Sequence, residues 1–156
     1  LPFVHMEAPL YLKGKARQGP TFRESVLMHA VSRIVLDEYI SNIQTSWVKM
    51  GHTGVVACLN AGANDLGGTL MNESITRAAG ASYGQETSPE LMMEMISTAG
   101  REARQRTTSY GEVPSERINA GLNAEMLTDI INTPALKYER TTRRVLKRSA
   151  VTLDNT

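Results

Sequence analysis

The architecture of this chain can be read first from an alternating stretch, Asn42-Ile43-Gln44-Thr45-Ser46-Trp47-Val48. Successive side chains of a β-strand point to opposite faces of a sheet. Ile43, Thr45 and Trp47 therefore share one face, and the polar residues between them share the other. The stretch predicts a strand over 42–48, with Trp47 in the core and a polar row on the opposite face.

Strand and helix signals alternate on both sides of this stretch. The other predicted strands are 3–7, 63–66 and 105–110. Four helices are predicted between these strands. The first starts after Thr21, the second covers 53–60, the third covers about 72–79, and the fourth starts at Ser88-Pro89. Such alternation is typical of parallel strands covered by helices. The predicted fold class is therefore α/β.

Two of these helices have strong start signals. Thr21 and Glu24 have the spacing of a capping box, and Ser88 before Pro89 is a favourable N-cap. The first helix is expected to bury an apolar stripe made of Leu27, Ala30, Val31, Ile34 and Val35. The later helix is expected to bury Leu91, Met92, Met95, Ile96 and Ala99.

Four strands within residues 1–111 are half of an eight-stranded barrel, which usually takes about 250 residues. The chain opens at Leu1 directly on an apolar run, without the loose polar residues common at chain ends. Both features fit a piece of a larger barrel. A small open sheet that is complete in itself is the alternative, and the pattern leaves both open.

Composition narrows the function classes. The formal net charge is +1, and no apolar run approaches the roughly 20 residues of a membrane span. Neither a membrane nor nucleic acid is therefore an expected partner. One cysteine, Cys58, excludes an internal disulfide and fits a reducing cytoplasm. No metal ligands are predicted, because the histidines lack ligand spacing and Cys58 is interpreted as a small buried residue.

Polar residues concentrate at the predicted strand ends, where parallel folds bind ligands. The candidate binding residues are His5, Glu7, Asn42, Gln44, Asn64, Asp65, Gly67, Gly68, Thr107 and Thr108. Lys49 follows the strand 42–48, and Arg106 and Tyr110 lie in the strand 105–110. The paired glycines would let backbone N–H groups approach a ligand. Each of these residues can also be explained without a ligand, as part of a hydrogen-bonded pair, a solvated strand edge or a tight turn.

The composition changes after residue 111. Pro114 and Ser115 start a polar helix predicted to run to about Asn132, and basic residues then recur on one helical face: Arg140, Arg143, Arg144, Lys147 and Arg148. This face is either solvated or a binding surface for phosphates. Residues 112–156 are therefore treated as a helical extension of the 1–111 domain.

Several segments of the sequence resemble those of one radical-SAM family, the synthases of the deazaflavin chromophore FO (7,8-didemethyl-8-hydroxy-5-deazariboflavin). The resemblance is to the second component, or C-terminal half, and is carried by 1–21, 42–49, 61–75 and 106–111. The run Asn64-Asp65-Leu66-Gly67-Gly68-Thr69 within it favours this branch over related menaquinone-pathway enzymes. The resemblance implies that residues 1–111 are about four βα units, the C-terminal half of a TIM-type barrel.

The implied reaction joins the 4-hydroxybenzyl group of L-tyrosine to 5-amino-6-(D-ribitylamino)uracil, with S-adenosylmethionine and a 4Fe-4S cluster as cofactors. The implied partner is the first synthase component or a fused N-terminal half, in the cytoplasm. The family's three-cysteine cluster motif has no counterpart here, so the isolated chain should be inactive. The ten candidate residues would hold substrate or S-adenosylmethionine, and no catalytic residue is assigned. The competing readings are a non-catalytic small-molecule-binding domain and an interaction module using the basic helix.

Overall fold

The helices of this chain surround a small core next to one parallel strand pairing. The computed structural model describes residues 19–70, 73, 76 and 85–125. Its helices are α1 (Phe22–Leu36), α2 (Trp47–Asn60), α3 (Pro89–Thr98) and α4 (Ser115–Leu122). None of the helices in this described part has the length and apolar character needed to cross a membrane. The predicted strand 3–7, most of the helix 72–79 and the basic face beyond Arg140 lie outside the described residues.

The core lies where α2 and α3 meet the strand pairing. Its buried apolar members are Trp47, Val48, Met50, Val55, Cys58, Leu59, Ala63, Leu66 and Met95. The interpretations of Trp47 as a core residue and of Cys58 as a small buried one are therefore confirmed: each is at most 1% exposed. Arg101, just after α3, donates to the carbonyls of Leu59 at 2.7 Å and Ala63 at 3.0 Å. This side chain joins the end of α3 to the end of α2.

The parallel pairing is present but short. Gln44 and Asp65 form a parallel bridge, in which Thr45 N donates to Asp65 O at 2.8 Å and Asn64 N donates to Ile43 O at 3.0 Å. Helix α2 is the crossover between the two segments. Within the described residues the chain is rich in helix, and this bridge is the only strand contact. An isolated bridge is not a strand, so the described residues are helical with one parallel contact, and the α/β class and the half barrel stay predictions.

Three strand predictions need correction. The strands over 42–48 and 63–66 are each reduced to a single bridge residue, Gln44 and Asp65. The first cannot continue, because the carbonyl of Ser46 accepts hydrogen bonds from Lys49 N and Met50 N and starts α2 at Trp47. The strand over 105–110 is wrong: Thr107 N donates to Gly111 O, and Tyr110 N donates to Thr107 O. These bonds close a turn, so this backbone does not pair with a neighbouring strand.

Helix α2 bends at Gly51. The residue has φ 66° and ψ 173°, a conformation that glycine adopts readily and other residues rarely do. The bend separates a first turn, which carries Lys49, from the regular helix after it. The predicted start at Thr53 therefore marks the second part of α2.

The helix start signals are confirmed. Thr21 Oγ1 accepts from Glu24 N at 3.2 Å, and Glu24 Oε2 accepts from Thr21 N at 2.7 Å. Ser88 Oγ accepts from Leu91 N at 3.3 Å. The apolar stripe of α3 is largely confirmed, since Met95 is buried and three further members pack against the core: Met92, Ile96 and Ala99. Leu91 is 37% exposed.

The predicted buried face of α1 is wrong. Its large members are exposed within the described chain: Leu27, Val31, Ile34 and Val35. A polar stripe turns inward instead, with Ser25 and His29 buried and Arg33 one turn further on. Arg33 donates to the carbonyls of Gly62 at 2.9 Å and Ser41 at 3.1 Å. The hydrogen bonds of Arg33, together with the packing of Val26 against the core, therefore determine which face of α1 meets the described core.

His29 is the buried ionisable group of this stripe. Its Nδ1–H donates to the Ser25 carbonyl at 2.7 Å, because a carbonyl can only accept. The side chain of Cys58 raises the pKa of His29 most, the carbonyls of Ser25 and Gln44 raise it further, and burial opposes them. At the junction of α1, α2 and the Gln44 segment, His29 therefore keeps its proton to a higher pH than an ordinary histidine does.

Helix α4 contacts α3 but contributes no residue to the core. It begins after Pro114 and ends at Leu122, ten residues before the predicted end at Asn132, and it buries no side chain. Its ordered turns are closed by Arg117 N and Ile118 N, which donate to the Pro114 carbonyl. The polar character predicted for this helix is confirmed.

Gly62→Ala should destabilise the chain. Gly62 has φ +111°, and a Cβ there would lie 2.7 Å from Arg33 Cβ. We expect the free energy of unfolding to fall by about 1–3 kcal/mol, measured by urea denaturation. Gly121→Ala is the matched control: its Cβ meets nothing within 4 Å, and in α4 it should raise stability by at most about 1 kcal/mol. Equal stability of Gly62→Ala and the wild type would contradict this account.

The raised pKa of His29 gives stability a definite pH dependence. The contribution is fully present below the unfolded pKa of about 6.5 and is lost as the pH rises through the higher folded-state pKa. Between about pH 5.5 and about pH 8.5, the wild type should therefore lose more stability than His29→Gln in urea denaturation. His52→Gln, at an exposed position of α2, should keep the wild-type slope. The same slope in His29→Gln would show that His29 does not titrate as described.

Candidate functional site

The candidate site lies where the parallel pair ends and its loops begin. The carboxyl ends of parallel strands meet at one edge, so residues after Gln44 and Asp65 come together there. Leu70 (φ 52°) and Tyr110 (φ 62°) are the non-glycine residues of the described ranges with left-handed backbone. Such strained residues cluster at functional sites. Both lie in the loops at this edge.

A buried carboxylate organises the site. Asp65 Oδ2 accepts from Arg106 Nε at 2.9 Å and lies 2.6 Å from Arg106 Nη2, while Asp65 Oδ1 accepts from Gly67 N at 2.8 Å. The Asp65 side chain is 6% exposed and that of Arg106 is 30% exposed. The pair therefore connects the glycine loop, Gly67-Gly68, to the segment that follows α3.

Arg106 also orders the turn after it. Its Nη1 donates to Thr107 O at 3.0 Å, and its guanidinium carbon lies 4.2 Å from the centre of the Tyr110 ring. A guanidinium at this distance is attracted to the ring face. Arg106 thus holds Tyr110 at the site edge. Neither residue was among the ten candidates, although both lie in the predicted strand 105–110.

The two glycines differ in their surroundings. A Cβ on Gly67, which has φ +76°, would lie 2.3 Å from Gln44 Nε2, so the Gln44 amide lies directly against this backbone. The carbonyl of Gly68 accepts from Trp47 Nε1 at 2.9 Å. A Cβ on Gly68 would meet nothing within 4 Å. Gly68 therefore presents open backbone to an incoming molecule.

The asparagines have structural partners. Asn64 Oδ1 accepts from Arg33 Nη2 at 3.0 Å and from Ile43 N at 2.8 Å, and Asn64 Nδ2 donates to the Ser41 carbonyl at 3.0 Å. Asn42 Nδ2 donates to Ser41 Oγ at 3.3 Å. These bonds tie the Asn42 segment to α1, and they do not bring Asn42 or Asn64 to the Asp65 carboxylate.

The threonine candidates lie in the turn after Arg106. Thr107 Oγ1 accepts from Gly111 N at 2.9 Å, which stabilises this turn. Thr108 is exposed next to it. His5 and Glu7 lie outside the described residues. Of the ten candidates, the structure therefore brings Gln44, Asp65, Gly67 and Gly68 together.

A second polar group, the Lys49 cluster, consists of Lys49, Glu73 and Thr76. Lys49 Nζ donates to Thr76 Oγ1, and Glu73 Oε1 accepts from Thr76 N at 3.0 Å. Burial lowers the pKa of Lys49, and the charge of Glu73 opposes this effect. Sequence reasoning missed Glu73 and Thr76, since both fall within a predicted helix where a polar residue is usually solvated.

Three buried oxygens near these elements have no hydrogen-bond partner in the described part of the chain: Thr45 Oγ1, Glu73 Oε2 and Thr87 Oγ1. A buried polar atom without a partner costs about 1–3 kcal/mol. Such atoms often mark where a ligand or water binds. Within residues 19–70, 73, 76 and 85–125, no three metal-ligating side chains are close enough together to hold an ion.

The chain matches the family model described as the CofH/MqnC C-terminal region, over residues 1–117. It is 53% identical over 120 residues to the FO synthase of Streptomyces avermitilis, covering 77% of this chain and 14% of that protein. It is 51% identical over 110 residues to the FO synthase of Mycobacterium tuberculosis, covering 70% of this chain and 13% of that protein.

A third relative carries a more explicit name. The 5-amino-6-(D-ribitylamino)uracil–L-tyrosine 4-hydroxyphenyl transferase of Methanopyrus kandleri is 50% identical over 113 residues, which are 72% of this chain and 31% of that protein. The chain therefore spans less than a third of the length of each of these relatives. No solved structure matches it.

Asp65→Asn should weaken the fold around the site. The substitution leaves the partly buried Arg106 without its charged partner, and we expect the free energy of unfolding to fall by about 1–3 kcal/mol in urea denaturation. Asp37→Asn is the matched control, because the exposed Arg33–Asp37 pair should contribute at most about 1 kcal/mol. If Asp65→Asn were no more destabilising than Asp37→Asn, the ion pair would not organise the site.

Proposed function

We propose, since this chain belongs to the CofH/MqnC C-terminal-region family, that it is the C-terminal part of a transferase of deazaflavin biosynthesis. The enzyme would join the 4-hydroxybenzyl group of L-tyrosine to 5-amino-6-(D-ribitylamino)uracil. The observation that carries the proposal is the family match over residues 1–117. The names of the relatives favour this reaction over that of a menaquinone-pathway enzyme.

The proposed architecture is the C-terminal half of a TIM-type barrel in residues 1–111, followed by a helical extension in 112–156. The parallel contact between Gln44 and Asp65, with α2 as crossover, supports this arrangement. The gathering of Asp65, Arg106 and the glycine loop at the carboxyl ends of the segments supports it further. The first synthase component, or a fused N-terminal half, is the proposed partner in the cytoplasm.

The chain does not fit a 4Fe-4S cluster. Such a cluster is held by several cysteine thiolates, whereas the sequence contains one cysteine, and Cys58 is fully buried. We infer that the cluster ligands come from polypeptide outside these 156 residues. The role proposed for this chain is to bind and orient substrate or S-adenosylmethionine.

The residues proposed for this role have different functions in binding. Gln44 would offer its amide beside Gly67, and the open backbone at Gly68 would approach the ligand. Asp65 would act as a positioning residue, because its oxygens already hold Arg106 and Gly67 N. The remaining candidates stay predictions of the family resemblance: His5, Glu7, Asn42, Asn64, Thr107 and Thr108.

The reaction can be tested with the gene product that contains this chain. The protein is incubated anaerobically with the first component, S-adenosylmethionine, ribitylaminouracil and ring-labelled L-tyrosine. We expect a fluorescent deazaflavin that carries the label, detected by mass spectrometry. Substrate binding without product would instead favour the non-catalytic small-molecule-binding domain.

Gly68→Ala tests the glycine loop in the same assay. A methyl group at Gly68 meets nothing within 4 Å, so stability should be preserved while product formation falls about tenfold or more, because the ligand is displaced. Gly121→Ala, on exposed α4, is the control and should keep full activity. Unchanged product formation in Gly68→Ala would remove this loop from the site.

A further inference from the structure

The Lys49 cluster contains opposite charges from the two stretches of chain that follow Gln44 and Asp65. Lys49 lies in the first turn of α2, before the bend at Gly51, and Glu73 follows the glycine loop. Glu73 N donates to Gln85 O at 2.8 Å, which holds its backbone. Thr76 bridges the two charges through its hydroxyl and its N–H.

The Glu73 carboxylate is satisfied at one oxygen only. Oε1 accepts from Thr76 N at 3.0 Å, whereas Oε2 is buried and has no partner among the described residues. A carboxylate oxygen can only accept, so the missing partner is a donor. A ligand ammonium supplies both the donor and the opposite charge, which gives the stronger type of hydrogen bond.

Lys49 provides the complementary charge. Its ammonium donates to Thr76 Oγ1. A ligand carboxylate forms a charge-assisted hydrogen bond with an ammonium, so it can join or replace the existing partners of Lys49. The Lys49–Thr76 contact is part-buried, and this burial lowers the pKa of Lys49.

Few ligands fit both charges. A phosphate or simple carboxylate would use Lys49 but would be repelled by Glu73, and a simple amine would have the opposite problem. An α-amino acid carries an ammonium and a carboxylate on one carbon. We propose that Glu73 binds the α-ammonium, and Lys49 the α-carboxylate, of the substrate amino acid. This inference rests on the proposed function, in which that amino acid is L-tyrosine.

The test separates the two ends of the ligand. Binding to the gene product that contains this chain is measured by calorimetry for three ligands. The first is L-tyrosine. The second, tyramine, lacks the carboxylate, and the third, 3-(4-hydroxyphenyl)propionate, lacks the amine. Glu73→Gln should weaken L-tyrosine and tyramine about tenfold or more and leave the propionate unchanged. Lys49→Met should weaken L-tyrosine and the propionate by a similar factor and leave tyramine unchanged.

Exposed residues of α4 supply matched controls: Glu116→Gln and Arg117→Met should bind all three ligands like the wild type. A merely structural role would weaken all three ligands together, and this result would overturn the proposal. So would wild-type affinity for L-tyrosine in Glu73→Gln and Lys49→Met. The retained ligand of each variant also shows that the variant has folded.

The outcomes distinguish this inference from the proposed function. If labelled deazaflavin forms but the variants bind L-tyrosine normally, the reaction stands and the amino-acid site is wrong. If Glu73→Gln and Lys49→Met lose the expected ligands but no product forms with any partner, the amino-acid site stands and the reaction is wrong. Failure of the wild type to bind L-tyrosine overturns the site.

Discussion

The buried carboxylate of Asp65 is the constraint on which the geometry of the site depends. Taking a carboxylate out of water is costly unless a charge and hydrogen bonds compensate for it. Arg106 supplies the charge and Gly67 N supplies a further donor. Satisfying this one group therefore determines the course of the glycine loop and the place of the Tyr110 turn, although the two lie about 40 residues apart in the sequence.

The features that could be predicted from the sequence are those with local causes. The capping box at Thr21 and the serine cap at Ser88 involve residues three positions apart, so their spacing is sufficient to identify them. Trp47 was identified as a core residue. The alternation of strand and helix signals predicted that the segments 42–48 and 63–66 run parallel, and one parallel bridge, Gln44 to Asp65, is found between them. Gly67 was singled out by its residue type, since close backbone approach requires glycine.

The features that could not be predicted depend on distant partners. Nothing near Arg33 or Arg101 indicates that each would bind backbone carbonyls around thirty to forty positions away. The inward face of α1 follows from those bonds, and periodicity alone selected its apolar face instead. Glu73 was missed for the same reason, because the burial of Oε2 arises from tertiary contacts.

The polar stripe of α1 has a mechanical consequence. An apolar contact tolerates sliding, whereas the hydrogen bonds from Arg33 to the carbonyls of Gly62 and Ser41 are directional and restrain rotation of the helix about its axis. Arg33 also donates to Asn64, and its bond to Ser41 reaches the segment that carries Gln44. We therefore expect the orientation of α1 and the position of the Gln44 amide beside Gly67 to be coupled.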